Sequence, residues 1–172
     1  LSKVSKIDLA ILNAGILGPI ANMKDQSLDN LTKVMNINVW ANKPIIDALL
    51  ETVPNTKKVV AISSGAAING NKGWGGYSIS KAALNMFIKL YASENDNTAF
   101  YSFAPGLIDT SMQDYLCGGT LDVETFPSAQ KLIAARGTEN MPTAEVAGEI
   151  LAKGMLKLDQ LPSGSFADIR KM

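Results

Sequence analysis

The sequence predicts an α/β fold built on a parallel sheet, and three observations carry that expectation. Short apolar runs recur at Ile7–Leu12, Val59–Ser63 and Ala99–Ala104. They lack the apolar–polar alternation of a half-exposed strand, as expected where helices cover both faces of a sheet. The segments between them are long enough for helices and carry apolar residues at helical spacing. Strand–helix alternation of this kind leads to right-handed crossovers and parallel strands.

The elements follow in order. The first strand, Ile7–Leu12, runs into Asn13-Ala14-Gly15. Leu28, Leu31, Met35, Asn38, Ile45 and Leu49 then lie near one helical face, and Pro44 should kink or restart that helix. The second strand, Val59–Ser63, ends at Ser64-Gly65. Gly70, Gly73, Gly75 and Gly76 then make a loop able to fold back. A second helix begins near Tyr77, marked by Ile79, Ala83, Met86, Phe87 and Leu90. The third strand, Ala99–Ala104, enters Pro105–Thr110. A third helix is expected from Thr143, its N-cap after Pro142, to Leu156, and Gly164–Ile169 is the fourth strand. No linker or repeat divides the 172 residues, so one domain is expected. Ligands of open parallel sheets bind beyond the carboxyl ends of the strands. That directs attention to Asn13–Gly15, Ser63–Gly65 and Pro105–Thr110.

Composition narrows the chemistry. Sixteen basic residues balance sixteen acidic ones, so no nucleic-acid or membrane partner is expected. No apolar run approaches a membrane span and the first residues do not read as a signal peptide, so a cytoplasmic protein is expected. The single Cys117 leaves no intramolecular disulfide or thiolate-rich metal site. With no histidine, Ser-His-Asp hydrolysis, Cys-His proteolysis and imidazole-bound zinc are excluded. Proton transfer falls to Tyr, Lys, carboxylate or water.

Tyr77-Ser-Ile-Ser-Lys81 is the strongest local signal. On a helix the phenol and ammonium, four apart, share a face. Alone, such a pair is usually a surface pair. A phenol of pKa about 10 is a poor acid–base group at neutral pH, and a neighbouring ammonium would lower that value. Ser64 ends a strand thirteen residues before Tyr77. Asn38 falls in an apolar stripe, where a buried amide needs partners.

Asn13-Ala14-Gly15, Asn38, Ser64, Tyr77, Lys81 and Pro105–Thr110, in this order and spacing, resemble the motif series of the classical short-chain dehydrogenases/reductases. Ile62–Ala67, Gly73–Tyr77, Pro105–Gln113 and Leu161–Phe166 are similar in texture to the sepiapterin reductase and benzil reductase group. The resemblance implies a Rossmann-type, doubly wound parallel sheet and a nicotinamide-dependent oxidoreductase. Its substrate would be a small ketone or dicarbonyl, or an alcohol in reverse, with NADP rather than NAD expected.

By the same resemblance Tyr77 is the proton donor in reduction, and Lys81 binds the nicotinamide ribose and lowers the Tyr77 pKa. Ser64 would hydrogen-bond the substrate carbonyl, and Asn38 would interrupt its helix and hold a water linking Lys81 to solvent. Cofactor contacts fall to Asn13, Ala14, Gly15, Tyr77, Lys81, Pro105, Gly106, Ile108 and Thr110. A homodimer or homotetramer is expected through the helices of Asn38–Leu50 and Tyr77–Tyr91. A competing reading is a non-catalytic relative, or a fragment, serving as an interaction module.

One departure stands out. The family opens with a strand and a Thr-Gly-x-x-x-Gly-x-Gly turn that cradles the pyrophosphate, and no such turn occurs here. The chain is expected to begin near the end of a helix at Leu1 and to lack the N-terminal βαβαβ portion. That is roughly 70 residues at roughly 30 per βαβ unit. Residues 1–172 would then form a single partial domain. An incompletely represented protein, a truncated gene product and a trimmed chain all remain open. Among neighbouring residues, Ser63 reads as a buried structural hydroxyl, and Asn36 falls off the apolar stripe that holds Asn38. Trp74 either walls the substrate pocket or covers the loop. Met112, Met141 and Met155 read as adaptable packing, and Cys117 as part of a mobile lid without a catalytic role.

Overall fold

The computed structural model describes residues 4–172, so the expected helix end at Leu1 lies outside the described residues. Four strands, β1 (Ala10–Leu12), β2 (Lys58–Ile62), β3 (Ala99–Ala104) and β4 (Phe166–Asp168), form one sheet in that order. All three pairings are parallel. β1 is shorter than the apolar run suggested. Ile7 makes only an isolated bridge to Thr56, and the ladder resumes at Ala10 opposite Val59.

Among the described residues six α-helices connect and cover the strands: α1 (Leu28–Met35), α2 (Asn42–Thr52), α3 (Gly75–Glu94), α4 (Ser111–Cys117), α5 (Pro127–Ala135) and α6 (Ala144–Lys157). Ser27 caps α1, its side chain accepting from Asn30 N at 3.2 Å. The break between α1 and α2 comes before Pro44, in a wider π turn at Asn36–Trp40. The helix restarts at Asn42, which places Pro44 in the first turn of α2, where its missing N–H is tolerated. Asn42 Nδ2 caps the Asn38 and Val39 carbonyls at 3.0 and 3.2 Å. Thr143 precedes α6 in extended conformation as expected, although its side chain makes no capping bond.

Both faces of the sheet are covered. On one, Val59, Ala61 and Phe100 pack with Val39, Ile46 and Leu49 from the α1–α2 segment and with Leu84 and Ile88 from α3. On the other, Val60, Tyr101 and Phe103 meet Met155 and Leu158 at the end of α6. This second cover stops at β1. Ile11 is in register with Val60, yet Val60 is fully buried while Ile11 is 48% exposed. A third cluster, of Leu17, Ile20, Leu116, Leu132 and Met141, joins the loop after β1 to α4 and α5.

The segment expected to form a lid therefore carries two short helices. Pro127 at the start of α5 is the sequence signal for one of them, because its fixed φ suits a first helical position. Cys117 ends α4 and is partly buried. Among the described residues no helix is long and apolar enough to cross a membrane.

Candidate active site

Just beyond the carboxyl ends of β1, β2 and β3 lies a cavity of about 200 Å³. Asn13, Gly15, Ser64, Tyr77, Lys81, Pro105, Gly106, Ile108 and Thr110 all line it. Ala14 is exposed and does not, and Asn38 lies behind the wall, fully buried.

α3 begins at Gly75, so Tyr77 and Lys81 occupy its first two turns and point to one side. Lys81 is 3% exposed, and its Nζ donates to the Ile62 carbonyl at 2.7 Å. An ammonium has three protons, so two remain for the cavity. Burial pushes the Lys81 pKa down to about 8. Nζ lies 5.7 Å from the centroid of the Tyr77 ring.

Burial also raises the Tyr77 pKa above its ordinary value, and Ser64 offsets part of that rise. The lowering expected from Lys81 is not what these residues alone produce. The ammonium approaches the ring while desolvation weighs on the hydroxyl, and desolvation wins. Ser64 faces Tyr77 without a full hydrogen bond between the hydroxyls. Its oxygen accepts from Ala66 N at 3.1 Å, leaving its proton to donate. Ser63 is buried, and its hydroxyl is committed to Asn85 Oδ1 at 2.6 Å, which fits a structural part.

Asn38 ties the site together from behind. Its Oδ1 accepts from Ile16 N at 2.8 Å, and its Nδ2 donates to Ile16 O and Ser80 Oγ, both at 2.9 Å. Both amide protons are thus committed, while Oδ1 keeps a second acceptor site. Asn36 is exposed.

These residues fit the nicotinamide end of a dinucleotide. A Cβ added at Gly15 would stand 3.4 Å from both Asn38 Oδ1 and Lys81 Nζ, so glycine keeps the space before the ammonium open. Asn13, Ile108 and Thr110 supply polar groups around the same space.

Trp74 faces the cavity and also holds its loop. Its ring lies edge-on to Tyr77 at 6.1 Å and lines the cavity, while Nε1 ties the loop to Ser128 Oγ at 2.6 Å. Met112 lines the cavity, whereas Met141 and Met155 are buried packing. Sequence reasoning missed Gln113, a buried cavity residue on α4. The available signal was a polar residue three positions before Leu116, on the inner side of the helix.

The family model for short chain dehydrogenases matches residues 1–117. Sepiapterin reductase of Xenopus laevis is 31% identical over 167 residues, which is 93% of this chain and 62% of that protein. Benzil reductase ((S)-benzoin forming) of Bacillus subtilis is 38% identical over 112 residues, covering 60% of this chain and 45% of the relative. A short-chain dehydrogenase/reductase structure from Saccharomyces cerevisiae superposes with a TM-score of 0.82 at 26% identity, over 95% of this chain and 66% of that one. The chain therefore spans about half to two thirds of the length of these proteins.

Proposed function

The chain belongs to the short-chain dehydrogenase family, whose members are oxidoreductases, and we propose that it carries the acid–base and substrate side of a nicotinamide-dependent carbonyl reductase. The observation that carries this reading is the meeting of Ser64, Tyr77 and Lys81 in one cavity at the carboxyl edge of the sheet. The bound dihydronicotinamide would supply a hydride to the carbonyl carbon, with NADP in preference to NAD by resemblance to the sepiapterin and benzil reductase group. Ser64 donates to the carbonyl oxygen and holds it where negative charge develops. Tyr77 gives its phenolic proton to that oxygen, leaving an alcohol and a phenolate. Lys81 stabilises the phenolate and offers its two remaining protons to the ribose. Asn38 fixes the Ile16 backbone and, through Ser80, the first turns of α3. Asn13, Ala14, Gly15, Pro105, Gly106, Ile108 and Thr110 frame the cofactor's path.

In the complete protein an N-terminal portion would add the phosphate-binding turn and extend the sheet beside β1, covering Ile11. The substrate is a small ketone or dicarbonyl, the assembly a homodimer or homotetramer, and the compartment the cytoplasm. The test is NADPH oxidation by the full-length protein with a diketone such as benzil. No turnover with any carbonyl compound, despite normal folding and NADPH binding, would favour the non-catalytic reading instead.

A further inference from the structure

A second cavity, of about 240 Å³, adjoins the catalytic one along Ser64, Trp74, Gly106, Leu107 and Leu132, which line both. Asn13, Gly15, Lys81, Ile108 and Thr110 line only the first, so the second lies off the proposed cofactor path. Arg170, in the turn after β4, is fixed in its wall. The buried Asp168 accepts from Arg170 Nε at 2.9 Å and from Nη2 at 2.5 Å, which sets the plane of the guanidinium. A Cβ at Gly106 would stand 3.7 Å from Arg170 Cγ and Cδ, so the stem rests against that glycine. At Gly65, directly after Ser64, a Cβ would come within 2.9 Å of Nη2, so glycine there makes room for the guanidinium. Three of its five N–H groups remain free to donate. Lys131 on α5 lines the same space and makes no ion pair among the described residues. The Ser128 hydroxyl accepts from Trp74 Nε1 at 2.6 Å and keeps its own proton to donate. Among the described residues no Asp or Glu lines this cavity. Asp168 balances Arg170, which leaves one positive charge, that of Lys131.

We propose that this second cavity is a carboxylate subsite, in which Arg170 and Lys131 select ketones that carry a carboxylate a few bonds from the reacting carbonyl. This rests on the carbonyl-reductase reading and deepens it. Ser64 and Tyr77 act on the carbonyl oxygen in the first cavity. The substrate's short apolar stem crosses Leu107 and Leu132, and its carboxylate meets the guanidinium, the ammonium and the Ser128 hydroxyl. A planar carboxylate suits the free edge of a fixed guanidinium. One uncompensated positive charge matches one negative charge, which favours a carboxylate over a phosphate. The redox step is unchanged by it. Hydride from the dihydronicotinamide goes to the carbonyl carbon and the Tyr77 proton to the oxygen, giving a hydroxy acid and the oxidised cofactor. The carboxylate takes no part in the chemistry.

The experiment uses the full-length protein with NADPH and two keto acids, 4-oxopentanoate and 5-oxohexanoate, each beside its methyl ester. Wild-type kcat/KM should favour at least one acid over its ester by about tenfold or more. That advantage should shrink as salt rises from about 10 mM to about 1 M, because the cavity is open to solvent. Arg170→Gln should remove the advantage, and Lys131→Gln should reduce it several-fold, both chiefly through KM. Because Arg170→Gln also strips Asp168 of its partner, Lys131→Gln at an exposed site is the second arm, and the ester reports general damage in each variant. NADPH affinity, measured by fluorescence titration, should change little. With benzil reduced, an acid no better than its ester in the wild type overturns the proposal alone. So does a fall shared equally by acid and ester in both variants, which makes the two residues structural, or a loss of NADPH affinity as the main effect, which assigns them to the cofactor. Failure to reduce any of these compounds, benzil included, sinks the reductase reading and this proposal with it.

Discussion

Lys81 Nζ reaches the Ile62 carbonyl at 2.7 Å and lies 5.7 Å from the centre of the Tyr77 ring, linking the end of β2 to the proposed proton donor. One bond fixes the ammonium while the rest of it stays available to the cavity. In the proposed reaction Tyr77 and Lys81 would divide the work between them: the phenol on the reacting oxygen, the ammonium on the phenolate and the ribose. In the full-length protein Tyr77→Phe should lower kcat by about 10²–10⁴ with NADPH affinity little changed. Paired assays of NADPH consumption and cofactor titration check this, and normal turnover by the variant would show that the phenol is not the donor.

A pH dependence follows from the two shifts at this pair. The Tyr77 pKa is raised, so the phenol stays protonated across neutral pH, as reduction requires. Burial brings the Lys81 pKa to about 8, so reductive kcat/KM for NADPH should be flat below that value and decline above it. Lys81→Arg should move the decline upward or remove it, as read from kcat/KM profiles between pH 6 and 10.

Stability should respond to the same group. The Lys81 pKa is about 8 when folded, below the ordinary lysine value of 10.5, so between those values the unfolded chain binds more protons. Stability therefore rises with pH across that window and is lost as pH falls through about 8. Urea unfolding of wild type and Lys81→Met should show the variant's relative advantage shrinking from pH 7 to pH 10. A difference that is independent of pH would contradict the buried ammonium.

Asn38 makes three hydrogen bonds, two to Ile16 and one to Ser80, from a fully buried position. Asn38→Leu should destabilise the protein by roughly 1–3 kcal/mol, because the partly buried Ile16 N–H and carbonyl lose their partner. It should also lower kcat by loosening the strand-end loop that carries Gly15. Chemical denaturation and steady-state rates measured together test both effects.

Ile45 on α2 and Ile79, Met86 and Leu90 on α3 leave large apolar side chains about half exposed. If these helices pair with a second subunit, Met86→Glu should shift the full-length protein toward monomer in sedimentation velocity at micromolar concentration. A wild-type monomer under the same conditions would count against the pairing.

The chain as it stands, without a phosphate-binding turn, should show little or no reductase activity beside the full-length protein. The glycine-rich turn that the resemblance assigns to the pyrophosphate, with the helix N-terminus behind it, does not occur among residues 4–172. Lys81, Asn13 and Ile108 alone cannot position a hydride donor closely enough. Comparable specific activity in the two would refute this division of labour.

What the sequence determined by itself is what local pattern encodes. Uninterrupted apolar runs marked β2 and β3 because strands buried on both faces must be apolar throughout, and the Tyr77–Lys81 spacing put two groups on one helical face. Asn38 stood out because an amide in an apolar stripe needs partners. Tertiary structure decided what depends on distant neighbours. It alone showed that Asn38 bonds to Ile16 and Ser80, that Trp74 both lines the cavity and anchors its loop to Ser128, and that the segment expected to form a lid carries α4 and α5. It also set burial of the Tyr77 hydroxyl against the lowering expected for it and left the Gln113 amide oxygen buried without a partner. Desolvation and hydrogen-bond satisfaction are sums over everything that packs around a group, and in this chain those neighbours lie dozens of residues away in sequence.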